Sequence, residues 1–145
     1  MNEADKHYRA GIVFAMQGRY QEAFEALEAA VQINPSHVEA CKELARLSLQ
    51  ANEKRAFANW CHEAIRIDAQ DPEPHLMLAE ELANTGRWGE ALDEVTLALQ
   101  LRPLADEDAR KARTIEAMAL ERVSRDFTPK LRVRQAWRSG VPERA

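Results

Sequence analysis

The chain has 145 residues and a net charge of −4 at pH 7, with 46% hydrophobic residues but few glycines and prolines. This length fits one domain with a continuous core, and the composition favours helices. No run approaches the roughly 20 apolar residues that span a bilayer, and the charged start does not resemble a signal peptide. We therefore expect a soluble, cytoplasmic, all-helical protein in which Cys41 and Cys61 are buried and reduced.

A short pattern recurs along the chain at an interval of about 34 residues. The pair Ala-Val at 30–31 returns as Ala-Ile at 64–65 and as Ala-Leu at 98–99. The segment Gly-Arg-Tyr-Gln-Glu-Ala at 18–23 returns two periods later, at 86–91, as Gly-Arg-Trp-Gly-Glu-Ala. A period this regular predicts a stack of similar units.

Each unit is predicted to be a pair of antiparallel helices. In the first unit, at about residues 4–37, small and apolar residues follow helical spacing on both sides of Gly18, where we expect the turn. Units at about 38–71 and 72–105 follow the same plan, with Gly86 at the turn of the third.

Two helix starts carry recognisable caps in the sequence. Ser36, three residues before Glu39, predicts a capping box at the start of the third helix. Asp71 before Pro72 predicts an N-cap followed by proline at the first helical position of the fifth helix.

The repeat ends before the chain does. Residues 106–124 are predicted to form one amphipathic helix with an acidic first turn, which we interpret as a cap on the stack, and Thr128-Pro129 is expected to end it. Residues 1–125 carry 15 Lys and Arg against 22 Asp and Glu, whereas residues 126–145 carry 5 against 2. We therefore divide the chain into a repeat domain, 1–125, and a basic C-terminal tail, 126–145.

Residues 4–105 resemble three tetratricopeptide repeats. The small residues, aromatic residues, alanines and closing proline of that pattern are met by Gly11, Phe14, Tyr20, Ala23, Ala30 and Pro35, and by Ala79, Trp88, Ala91, Ala98 and Pro103. The middle copy departs from the pattern at Ser48, Asn52, Phe57 and Ala69. The resemblance implies a right-handed α-solenoid of six helices plus a capping helix. It also implies a non-enzymatic adaptor or scaffold that binds a peptide or helix of another protein in its concave groove.

In this family the first helix of each pair lines the inner surface. Transferred to this chain, the resemblance selects as partner-binding residues Tyr8, Ile12, Met16, Lys42, Arg46, Leu49, Leu76, Glu80, Arg110 and Thr114. An apolar patch beside the cations Lys42 and Arg46 suits a segment with an apolar anchor and an acidic neighbour.

Members of the family that bind chaperone tails do so with a carboxylate clamp of cations and asparagines. The matching positions in this chain hold Tyr8, Ile12, Glu43, Glu73 and Met77. None of these is a lysine, arginine or asparagine, which argues against a clamp.

The sequence holds no phosphate-binding loop, no zinc-protease helix and no nucleophile elbow. Four soft ligands in or directly before the second unit could lie close together, namely His37, Cys41, Cys61 and His62. Because both cysteines occupy core-type positions, we expect neither a metal site nor a cofactor.

The basic tail leaves alternatives open. Leu131, Val133 and Trp137 alternate with cations, and they either pack back onto the capping helix or dock on a partner or a neighbouring copy. The first alternative function is therefore self-assembly into a homo-oligomer through this tail. The second is a nucleic-acid accessory module. The five cations of the tail provide little positive charge for this role, and the rest of the chain is acidic.

Overall fold

A computed structural model describes residues 1–138, and the side chains of residues 1–126. Within this part of the chain there are seven helices and no strand. They are α1 (Glu3–Met16), α2 (Tyr20–Ile33), α3 (Val38–Gln50), α4 (Lys54–Ile67), α5 (Glu73–Asn84), α6 (Trp88–Gln100) and α7 (Asp106–Arg138). Across the described residues, none of the helices combines the length and the apolar character that a membrane span requires.

The helices pack in sequential pairs. α1 lies against α2, α3 against α4 and α5 against α6, while α2 meets α3, α4 meets α5, and α7 packs on α6 and α5. Each pair therefore contacts mainly its neighbours along the chain, which makes the fold an all-α helical-repeat solenoid.

Small residues bring the helices of a pair close together. Ala23, Ala64, Ala79 and Ala91 are completely inaccessible to solvent. Gly11 on α1 faces Leu27 on α2 so closely that a Cβ atom at Gly11 would lie 2.7 Å from Leu27 Cγ. The alanine and glycine positions of the repeat thus mark the helix crossings.

The turn inside each pair has the same backbone conformation. Gly18 and Gly86 have φ angles of 76° and 80°, and Asn52 occupies the corresponding place in the second pair with φ 60°. Asparagine is among the few residues other than glycine that enter this left-handed region readily. The middle repeat therefore keeps the turn geometry despite its missing glycine.

The start of α3 differs from the predicted capping box. His37, not Ser36, is the N-cap, and its Nδ1 accepts the Ala40 N–H at 3.1 Å. Ser36 instead donates its backbone N–H to Asn34 Oδ1. Nε2 of His37 lies 3.0 Å from Asp5 Oδ1, so a contact from α1 orients the ring for this role.

The start of α5 is one residue later than predicted, because Pro72 is the N-cap and the helix begins at Glu73. Asp71 still serves this helix end, since its Oδ1 accepts the Glu73 N–H at 3.0 Å.

The predicted end of the capping helix at Thr128-Pro129 is wrong, because α7 continues to Arg138. A proline removes one helical hydrogen bond, while the following Lys, Leu, Arg, Gln and Ala residues favour helix strongly. The division at 125/126 falls inside this helix and stays a prediction. The side chains of Leu131, Val133 and Trp137, and with them the predicted docking of the tail, lie outside the described residues.

Candidate functional site

Side chains of α3, α5 and α7 line an open cavity of about 350 Å³. From α3 it is lined by Arg46, Leu49 and Gln50; from α5 by Glu73, Leu76, Met77 and Glu80; and from α7 by Asp108 and Lys111. Residues three or four positions apart on a helix share a face, so each helix presents its lining residues together. We call this space the inner cavity.

The floor of the inner cavity is apolar and continuous with the core. Leu76 is buried, and Leu49 and Met77 are half-buried. Leu49 and Met77 pack against a core cluster that contains Phe57 and Cys61. The shape of the floor is therefore set by the packing between the second and third repeats.

The rim carries charges of both signs, and its cations are paired. Arg46 contacts Glu73 at 3.3 Å and also pairs with Glu43. Lys111 on α7 contacts Glu80 on α5 at 3.2 Å. These side chains are partly exposed, and exposed ion pairs contribute at most about 1 kcal/mol each. A ligand can replace such pairs at little cost.

Lys42 is not a free cation of the groove, contrary to the expectation from the sequence. Its side chain is only 4% exposed, and its ammonium is bound by Asp71, Glu73 and Glu39. Burial of a lysine requires such partners. Lys42 therefore joins α3 to the start of α5, and it leaves the set of residues that can meet a partner.

The three groove residues predicted on α1 lie outside the lining of the inner cavity. Tyr8 is half-buried, with its ring 5.0 Å from the ring of His37. Burial, together with Glu39 and Glu43, raises the pKa of its phenol. Ile12 is half-buried, whereas Met16 is 83% exposed at the end of α1.

The residues predicted on α7 also lie outside the inner cavity. Arg110 is exposed, and its Nε donates to the Asp106 carbonyl. Thr114 lines a neighbouring cavity with Trp88 and Met118 and donates to the Arg110 carbonyl at 2.9 Å. Arg46, Leu49, Leu76 and Glu80 are the predicted residues that the structure brings together around one cavity.

Sequence reasoning missed five lining residues: Gln50, Glu73, Met77, Asp108 and Lys111. A signal for two of them was present, because Glu73 and Met77 match the positions of the carboxylate clamp in tetratricopeptide repeats that bind chaperone tails. The α7 residues had no such signal, since this helix lies outside the repeat and the period does not fix its rotation.

Both cysteines are buried and free. Burial raises the pKa of the Cys41 thiol to about 11 and that of Cys61 to about 12. Thiolates are the reactive form of cysteine, so neither residue has the character of a nucleophile. Within the described part of the chain, no group of three or more His, Cys, Asp or Glu residues is placed to hold a metal ion.

Solved structures share this fold. The TPR domain of P58(IPK) superposes with a TM-score of 0.75 at 20% identity, over 96% of this chain and 37% of that one. The Yersinia enterocolitica type III secretion chaperone SycD, in complex with a peptide of the translocator YopD, gives a TM-score of 0.74 at 15% identity, over 81% of this chain and 92% of SycD. An alternative dimer of SycD gives 0.77 at 16% identity, over 84% and 95%.

This chain thus spans little more than a third of the P58(IPK) chain that it matches. No curated protein sequence matches it significantly. The family model described as "Tetratricopeptide repeat" matches residues 14–61, from the end of α1 into α4. This match covers about a third of the chain. Together with the helix pairs at a period of about 34 residues and the shared fold, it makes the chain similar to tetratricopeptide repeat proteins.

Proposed function

We propose that this chain is an adaptor that binds a short segment of a partner protein in the inner cavity. Tetratricopeptide repeats are in general non-enzymatic interaction modules whose stacked helices offer extended concave surfaces. The observation that carries the proposal is an open cavity with an apolar floor, surrounded by partly exposed ion pairs.

The floor determines the anchor of the ligand. Leu49, Leu76 and Met77 form an apolar surface that suits one or two apolar side chains of a bound segment. Leu49 and Met77 on the floor pack against the core, so little ordering of the receptor opposes binding.

The charged residues at the rim of the inner cavity determine which charged groups a bound segment can place beside its apolar anchor. Two cations and three carboxylates line the cavity, and Lys42 is not available to a ligand. The preference for an acidic neighbour expected from Lys42 and Arg46 is therefore weakened. A segment with an apolar anchor and charges of both signs fits this rim better.

A second observation supports a peptide as the class of ligand. SycD, which has this fold, forms a complex with a peptide of YopD. We transfer only the class of ligand, because 15% identity shows the fold alone.

The proposal is tested with peptides that are selected from a random library for binding to the full chain and are then titrated into its variants. Met77→Glu places a charge on the cavity floor, and Gln50→Trp fills the cavity from an exposed position without removing core contacts. Leu97→Glu is the matched control, because Leu97 is exposed on α6 and outside the cavity lining. We expect the two cavity variants to raise the Kd at least about tenfold, equivalent to about 1.4 kcal/mol, and the control to leave it unchanged. Equal affinity for all four proteins would refute the proposal.

A further inference from the structure

A second and larger cavity, of about 470 Å³, lies between α4 and α6, with α5 beneath it. Its floor includes Phe57, Leu78 and Leu82, and its walls extend over about two helical turns of α4 and of α6. We call it the outer cavity. It shares no lining residue with the inner cavity.

The repeat itself shows why side chains leave the outer cavity open. One period earlier, Phe24 on α2 and Trp60 on α4 pack against the core cluster that contains Leu27 and Leu44. The residues one period later are Ala58 and Glu94, and both line the outer cavity. Two aromatic side chains therefore cover this space between the first and second repeats, whereas the corresponding space between the second and third repeats is open.

The walls of the outer cavity are acidic. Glu81, Glu90, Asp93 and Glu94 line it, and the residues one period earlier are Leu47, Ala56, Asn59 and Trp60. None of those earlier residues is acidic. The four carboxylates are thus specific to this interface, and they outnumber the lysine and arginine of the walls two to one.

Most of these carboxylates have a local partner. Lys54 lies 3.3 Å from Glu81, Arg87 lies 2.5 Å from Glu90, and His75 Nδ1 lies 2.8 Å from Glu94. Asp93 has no ion pair among the described residues. An exposed carboxylate beside an open apolar cavity favours a ligand that carries a positive charge next to its apolar group.

We propose that the outer cavity is a second binding site, which takes a segment of another protein carrying an aromatic side chain beside an arginine or lysine. The aromatic ring occupies the space that Phe24 and Trp60 cover in the preceding interface. The neighbouring cation pairs with Asp93 at the cavity wall. The chain would then engage two segments at once, because the two cavities are separate.

The probe is the tripeptide amide Arg-Trp-Arg, titrated into the ¹⁵N-labelled full chain and followed by NMR. We expect saturable shifts of the amides around Leu78, Leu82 and Asp93. Arg-Ala-Arg and Glu-Trp-Glu are the matched control peptides, and each should bind at least about fivefold more weakly, equivalent to about 1 kcal/mol. Equal binding of Glu-Trp-Glu, or shifts confined to the inner cavity, would overturn the proposal.

Two variants separate the site from the fold. Ala58→Phe introduces between the second and third repeats the aromatic side chain that Phe24 supplies between the first and second. The new ring should fill the cavity and weaken Arg-Trp-Arg binding at least about tenfold. Asp93→Asn changes an exposed side chain, so folding is not at risk, and it should weaken binding about threefold. Unchanged affinity of Asp93→Asn would overturn the role of the carboxylate. Concentration-dependent shifts of the same amides without peptide would assign the site to a second copy of the chain and overturn the proposed partner.

Discussion

Lys42 Nζ lies 2.9 Å from Asp71 Oδ2, and the two side chains are 4% and 9% exposed. The same ammonium contacts Glu73 at 2.9 Å and Glu39 at 3.0 Å. Burial alone would lower the pKa of Lys42, but its hydrogen bonds to Asp71, Glu73 and Glu39 raise that pKa above the ordinary value. A buried charge cluster therefore joins the second repeat to the third.

Asp71→Asn should cost more stability than Glu73→Gln. Removing one partner of a buried ion pair leaves an uncompensated charge, and we expect about 2–3 kcal/mol here because two carboxylates remain. Glu73 is 37% exposed, so its loss should cost about 1 kcal/mol or less. Urea unfolding of both variants measures the difference. Equal effects would contradict the burial of the Lys42–Asp71 pair.

The raised pKa of Lys42 predicts how the free energy of unfolding changes at alkaline pH. Because the folded state raises the pKa of Lys42, the contribution of this group is fully present below the ordinary lysine pKa of about 10.4. It is lost as pH rises above that value towards the raised pKa. The difference in unfolding free energy between the wild type and Lys42→Met should be constant from pH 7 to 10 and fall above it. A difference that already falls between pH 7 and 9 would contradict this assignment.

Gly11→Ala and Gly89→Ala should change stability in opposite directions. A Cβ at Gly11 would lie 2.7 Å from Leu27 Cγ, and overpacking of this kind costs about 1–3 kcal/mol. At Gly89, in the first turn of α6, the added Cβ meets no atom within 4 Å apart from the adjacent backbone of its own helix, and alanine should raise stability by up to about 0.5 kcal/mol. Thermal unfolding of the two variants checks both signs. A stabilised Gly11→Ala would show that α1 and α2 are further apart than the structure has them.

Cys41 and Cys61 should resist alkylation in the folded protein. Burial raises the pKa of Cys41 from 9.0 to about 11, which lowers its thiolate fraction at pH 8 by about two orders of magnitude. Iodoacetamide labelling followed by mass spectrometry should find neither thiol modified in buffer and both modified in urea. Rapid labelling of either thiol in buffer would contradict the buried placement.

The repeat could be predicted from the sequence because its period is a local signal. The positions of Gly18, Gly86 and the buried alanines follow directly from it, and the structure confirms the helix pairs. The burial of Lys42 and its ion pairs could not be predicted in the same way. Its partners Asp71 and Glu73 are about 30 residues away, and the period does not state which carboxylates meet a given lysine.

The candidate site was predicted only in part for a related reason. The lining residues of α3 and α5 inherit their orientation from the repeat, so Arg46, Leu49, Leu76 and Glu80 were among those selected. α7 has no counterpart in the repeat, and its packing on α5 and α6 places Lys111 instead of Arg110 at the inner cavity.

The most direct test of the central claim is methyl NMR of the full chain with a selected peptide. Leu49, Leu76 and Met77 report on the inner cavity, while the exposed Leu97 and Met118 report on other surfaces. The account predicts saturable shifts of the first three methyl groups and none at Leu97 and Met118. Saturable binding that shifts Leu97 or Met118 and leaves Leu49, Leu76 and Met77 unchanged would contradict the assignment of the inner cavity as the binding site.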